Sequence, residues 1–112
     1  MKNYNENFVR MLWKDKAVVH MFDTKEHDWV EDFKIDRCHV SFQNLGVADQ
    51  TEANAIVSQR VVLFCAVDLD IKPGSRIVAT LRNGRDYEFL ASGIPATYDW
   101  HQEINLIKEN DA

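Results

Sequence analysis

The apolar positions of this chain fall into six short runs with the spacing of β-strands, divided by polar or glycine-containing segments. Residues 17–22, AVVHMF, open the series as a β-rich run. Residues 34–43, KIDRCHVSFQ, alternate in their second half, so Cys38, Val40 and Phe42 share one face and His39 and Ser41 the other. Ile35 has the wrong parity for that apolar face, which predicts a β-bulge near Asp36 and Arg37. Residues 60–67, RVVLFCAV, are apolar at successive positions. They read as the most central strand, buried on both sides or with its outer face against another subunit. Residues 76–82, RIVATLR, and 85–91, RDYEFLA, are two more strands. The last is 100–108, WHQEINLIK, with Trp100, Ile104 and Leu106 on one face and Ile107 on the other.

The intervening segments carry the turn chemistry. Residues 23–33, DTKEHDWVEDF, are charged and read as a long hairpin loop. Pro73-Gly74 matches a type II turn, because proline presets φ at the first central position and glycine supplies positive φ at the second. Asn83-Gly84 between two strand-like runs predicts a two-residue hairpin loop. That loop sets Arg82 opposite Arg85, Thr80 opposite Tyr87 and Val78 opposite Phe89, with Ile77 opposite Leu90 on the other surface. Both surfaces of the hairpin then carry apolar side chains. Residues 92–99, SGIPATYD, return the chain to the last strand. Residues 44–59, NLGVADQTEANAIVSQ, form one long inter-strand loop, in which Asp49 and Glu52 fit a capping box for a turn or two of helix. At residues 1–15, Phe8, Met11 and Leu12 have helical spacing with Trp13 beside them, which fits a short helix or an extended arm. The sum is one all-β domain over residues 1–112. It is a small β-barrel or sandwich of about six strands, with one long inter-strand loop and at most one short helix.

Composition narrows the function classes. With 46% hydrophobic and 28% charged residues the chain is ordinary globular material. A net charge of −5 argues against a general nucleic-acid binder, although it leaves room for a local basic patch. No apolar run reaches the length of a membrane span. The first residues, MKNYNENFVRMLWKDK, lack the apolar core of a secretory leader. Cys38 and Cys65 both lie in apolar strand-like runs and read as reduced core residues of a protein made in a cytoplasm.

Candidate chemistry is sparse. Cys38 and His39 are adjacent and so point to opposite faces of a strand. Cys65, His20, His27 and His101 are scattered, with no metal-ligand spacing among them. A nucleophilic Cys65 with His20 or His101 lacks any local support, and an apolar setting raises a thiol pKa. Asp68 and Asp70 read as solvated turn flanks. Arg76, Arg82 and Arg85 cluster around the Asn-Gly hairpin with Tyr87 and Phe89 nearby, the ingredients of an OB-like module that binds single-stranded nucleic acid. The opposing reading buries the aromatics in the core and leaves the arginines to solubilise the hairpin tip, and the acidic total favours it. No enzymatic activity, metal or cofactor is expected.

From about residue 36 to residue 108 the chain resembles the head-closure (stopper), or minor capsid, proteins at the head–tail junction of long-tailed bacteriophages. The resemblance lies in the order and spacing of several features. These are His39-Val40 on a strand, the polar loop 44–59, an apolar strand, the turn-to-strand DIKPGSRI at 70–77, the hairpin return NGRDYEF at 83–89, and the closing strand HQEINLIK at 101–108. It implies a small β-barrel that assembles as a ring of twelve subunits. The ring would dock beneath the portal and adaptor proteins of a DNA-filled head, retain the packaged DNA and offer a platform to the tail-completion protein. It also implies assembly in the bacterial host cytoplasm, a final place in the virion neck, close passage of DNA, and no membrane. By position, the channel or inter-subunit loop maps to Asn44, Leu45, Gly46, Asp49, Thr51, Glu52 and Asn54. That segment lacks lysine and arginine, so subunit packing suits it better than gripping DNA. Pro73, Gly74, Asn83 and Gly84, read above from the residues themselves, are the structural turns of the chain.

Overall fold

A computed structural model describes residues 12–44 and 59–108. Six antiparallel strands close into a barrel: β1 (Asp15–Asp23), β2 (Asp28–Asn44), β3 (Gln59–Ala66), β4 (Arg76–Thr80), β5 (Asp86–Thr97) and β6 (His101–Lys108). The strand order around the barrel is β1-β2-β3-β6-β5-β4, and β4 pairs back onto β1. Closure pairs every strand of the barrel on both sides and confines open sheet edge to the ends of its longer strands, such as the projecting β1–β2 ribbon. No described residue is helical. Residues 12–14 lead into β1 without helical structure, and the rest of the helix or arm expected at the start of the chain lies outside the described residues.

Two long strands make the corners. The first part of β2 pairs with β1, from Asp28 to Cys38, and the rest pairs with β3, from His39 to Asn44. The change of partner follows a bulge: Asp15 lies opposite Cys38 and Ala17 opposite Ile35, so β2 holds one extra residue at Asp36–Arg37. The bulge expected from the parity of Ile35 is therefore present, and it lets Ile35 and Cys38 both enter the core. A second extra residue, Asp32, lies between Phe33 and Glu31. Likewise β5 pairs with β4 through Leu90 and with β6 from Phe89 onward.

Three expectations are corrected. Residues 23–33 are not a long loop. The β1–β2 turn spans only residues 24–27, with His27 at φ 53°, and β2 begins at Asp28. Trp29, Val30 and Phe33 supply the β-propensity, while solvent on both sides of a two-stranded ribbon removes the apolar–polar alternation that marks a half-buried strand. The segment SGIPAT is not a return loop but the end of β5. Between Ser92 and Ala96 it carries two more residues than the facing stretch of β6, and Gly93 at φ 74° opens the bulge.

The β4–β5 hairpin is also one residue out of the expected register. Ala79 faces Tyr87, Ile77 faces Phe89 and Val78 faces Glu88. Leu81 donates its N–H to the Arg85 carbonyl at 2.8 Å, and Gly84 donates to the Leu81 carbonyl at 2.8 Å with φ 89°. Arg82, Asn83 and Gly84 thus form a three-residue loop, a turn closed by a left-handed glycine, instead of a two-residue one. A one-residue shift changes which side chains share a surface. Ile77, Ala79, Tyr87 and Phe89 turn inward together. The outer surface keeps only half-buried Val78 and Leu90 among Arg76, Thr80, Asp86 and Glu88. The expected type II turn is present, with Ser75 donating to the Lys72 carbonyl at 3.1 Å and Gly74 at φ 88°.

The core fills the barrel around Phe89, Leu63, Ile77, Ile104 and Val19. β3 is the most buried strand, as its continuous apolar run implies: Val61, Leu63 and Cys65 face the interior, and Val62 on its other surface is buried too.

Candidate functional site

Asn44 ends β2 opposite Gln59 at the start of β3, so the long segment leaves and re-enters the wall at one point of one barrel end. Leu45, Gly46, Asp49, Thr51, Glu52 and Asn54, the remaining channel-loop candidates, lie outside the described residues, as does the Asp49–Glu52 capping box. Beside that point is a mouth of about 390 Å³ lined by Phe42, Gln59, Val61, Leu81, Tyr87, Phe89 and Lys108. The Phe42 ring lies 5.5 Å from Tyr87 and 6.3 Å from Phe89. Phe89 is only 2% exposed and closes the core, Tyr87 is half-buried against it, and Phe42 is 38% exposed at the rim, so the cluster leaves one open ring and no row of stacking platforms for bases. Of the three arginines, Arg76 pairs with Glu88 and lies 5.9 Å from the Trp29 ring, while Arg82 and Arg85 are exposed at the loop.

The reactive-site candidates separate. Cys65 faces inward opposite Gln102, whereas the neighbouring His101 lies on the outer surface. Burial, followed by the charge of Asp15 and the second thiol, pushes Cys38 up to about 12. Burial also pushes Cys65 up to about 12, with a Gln102 hydrogen bond pulling the other way and Asp68 adding to the rise. Neither thiol is a thiolate at neutral pH. Among the described residues no three His, Cys, Asp or Glu side chains gather as a metal site. Asp68 and Asp70 are exposed in the turn after β3.

Two buried polar residues that sequence reasoning passed over tie the barrel together. Asp15 accepts the Val40 N–H at 2.9 Å on one carboxylate oxygen and the Arg82 N–H at 3.0 Å on the other, with His39 Nδ1 3.6 Å away. It joins the start of β1, the second arm of β2 and the β4–β5 loop. Gln102 donates from Nε2 to the Ala66 carbonyl at 2.9 Å and the Leu69 carbonyl at 2.7 Å, fixing the turn after β3. Both were detectable: Asp15 has the inward parity of Ala17 and Val19, and Gln102 that of Ile104 and Leu106. A polar residue in an inward register marks a backbone donor or acceptor that needs a partner.

The outer wall carries the apolar features. At the β1–β2 tip, Met21, Phe22 and Val30 are exposed, with the Phe22 and Trp29 rings edge-on at 5.5 Å. On the β5 bulge Ile94 is 90% exposed. An aromatic row runs over β2, β3 and β6: His39 by Phe64, Phe64 by His101, and His101 stacked on Tyr98 at 4.7 Å. Trp13 packs on Trp100 at 5.8 Å next to this row. No helix among the described residues is long and apolar enough to cross a membrane. No protein-family profile, curated protein or solved structure matches this chain.

Proposed function

We propose that this chain is a structural neck protein of a tailed phage or prophage, assembled in the host cytoplasm, that closes the DNA-filled head beneath the portal and adaptor and gives the tail its docking platform. The observation that carries the reading is where the apolar surface lies. The barrel has one filled core, yet it holds Met21, Phe22, Val30 and Ile94 out to solvent on two projections of its wall. Apolar side chains raised on rigid strands suit contacts between protein subunits, as a ring wedged between portal and tail requires. The resemblance across residues 36–108 supplies the location.

The test combines binding and genetics. The purified protein is expected to bind a portal–adaptor complex. Deleting its gene is expected to leave heads that lose their DNA and fail to join tails. Absence of binding, together with DNA-retaining heads that join tails in the deletion strain, overturns the reading. A tail-completion role is separated by electron microscopy of the deletion: it leaves closed, filled heads beside immature tails.

A further inference from the structure

Acidic and basic side chains separate along the barrel. The tip of the β1–β2 hairpin carries Asp23, Glu26, Asp28, Glu31 and Asp32 against the single cation Lys25. At the far end of β1 a cleft of about 540 Å³ is lined by Lys14, Lys16, Thr80, Leu81 and Arg82. An adjoining cleft of about 250 Å³ shares Lys16 and adds Lys34, with Asp36 as the one carboxylate among the lining residues of the two. Among the described residues, none of these five tip carboxylates and none of Lys14, Lys16, Lys34 and Arg82 takes part in an ion pair. The tip thus keeps an excess of negative charge, with Lys25 its one cation, and the cleft an excess of positive charge, with Asp36 in its lining and Asp86 hydrogen-bonded to Thr80 beside it.

Most of the tip is out of reach of its own cleft. Lys16 and Asp23 stand seven residues apart on one continuous strand, about 23 Å at strand rise, and only Asp32 and Lys34, two apart on β2, bring the two groups near each other. The tip is also the least covered part of the wall. β4 pairs with β1 only from Lys16 to His20, so residues 21–23 pair with β2 alone. Met21, Phe22 and Val30 are 39%, 50% and 41% exposed there. The cleft offers half-buried Val18 and Leu81 and the methylene stems of its lysines to such side chains.

We propose that the acidic, apolar tip of one copy seats in the basic cleft of the next, a head-to-tail contact between copies of this chain. The contact deepens the ring reading above and rests on it for closure, since a heterologous contact yields a ring when its rotation closes and a filament when it does not.

Charge reversal in two halves tests it. One variant carries Lys14→Glu and Lys16→Glu, the other Asp28→Lys and Glu31→Lys, and all four positions are exposed. Each variant alone is expected to lose self-association by about tenfold or more in sedimentation velocity at low salt, and the equimolar mixture to regain it. Lys16→Cys mixed with Glu31→Cys is expected to form an oxidised dimer that neither forms alone, and the buried native thiols stay out of the reaction. The proposal is overturned by wild-type protein that stays monomeric and uncrosslinked at high concentration and low salt. It is equally overturned by a folded mixture that stays monomeric, by same-site crosslinks, or by a cleft variant that loses only binding to a short DNA duplex. Head-to-tail association in a protein that ignores the portal–adaptor complex keeps this contact and discards the neck reading. Portal binding with unchanged self-association in both variants does the reverse.

Discussion

At the scale of single residues, buried polar and ionisable groups decide what the barrel tolerates. Asp15 answers two backbone N–H groups from different parts of the fold. Removing a charged acceptor strands the buried Val40 donor and frees the part-buried Arg82 donor, so Asp15→Ala is expected to cost about 2–3 kcal/mol in urea unfolding. Asp15→Asn keeps one carbonyl acceptor and is expected to cost about half as much. The thiols set a pH limit. Unfolded, they ionise near 9.0, and in the folded core each is raised to about 12. The folded state therefore holds protons that the unfolded chain releases. Their contribution is full below about pH 9 and is lost as pH rises toward 12, at up to about 1.4 kcal/mol per pH unit per thiol. Urea unfolding of wild type against Cys38→Ala with Cys65→Ala, between pH 8 and 10.5, is expected to show a smaller alkaline loss in the variant.

At the scale of elements, corners and turns decide where each side chain points. Gly84 closes the β4–β5 loop at φ 89°, and a Cβ built there meets nothing within 4 Å. Its substitution is thus a purely conformational test. Gly84→Ala is expected to cost about 1–2 kcal/mol in thermal or urea unfolding, and Gly84→Asn less, because asparagine tolerates the left-handed region better. This loop also shows where sequence reasoning stops. Asn83-Gly84 located the turn, but a two-residue loop and a three-residue loop ending in a left-handed glycine share that dipeptide. Only the hydrogen bonds of Leu81 to Arg85 and of Gly84 to Leu81 separate them. The bulge at Asp36–Arg37 was legible because the break in parity at Ile35 is written in the side chains. The bulge at Gly93–Pro95 was not, because glycine and proline inside a strand read as a loop. The β1–β2 ribbon was hidden for a related reason: charges on both its faces erase the period on which a strand assignment depends. That ribbon is where the site proposed above begins, so its chemistry was visible in the composition of residues 23–32 while its placement was not.

At the scale of the whole molecule, closure and polarity act together. Closing the wall through β4 and β1 gives residues 17–20 of β1 a paired neighbour on each side, whereas residues 21–23 have one. Stability should therefore grade along a single strand. The amides of Val18 and Val19, in the doubly flanked part, are expected to exchange hydrogen only through global unfolding. Those of Phe22, Trp29 and Val30 are expected to exchange through local opening of the ribbon, orders of magnitude faster. Hydrogen exchange followed by NMR on dilute protein measures this gradient, and equal protection at both ends of β1 would contradict it. The same gradient distinguishes a loose hairpin from a docking element. A ribbon that opens in the monomer pays its ordering cost when it seats against a partner. Raising the protein concentration at low salt should then slow exchange at Phe22, Trp29 and Val30 while leaving Val18 and Val19 unchanged. Protection that rises at the tip and the basic cleft together, and falls again with added salt, is the signature of charge-guided packing between copies. Protection rising on the outer face of β6 instead would move the subunit contact to the aromatic row around His101.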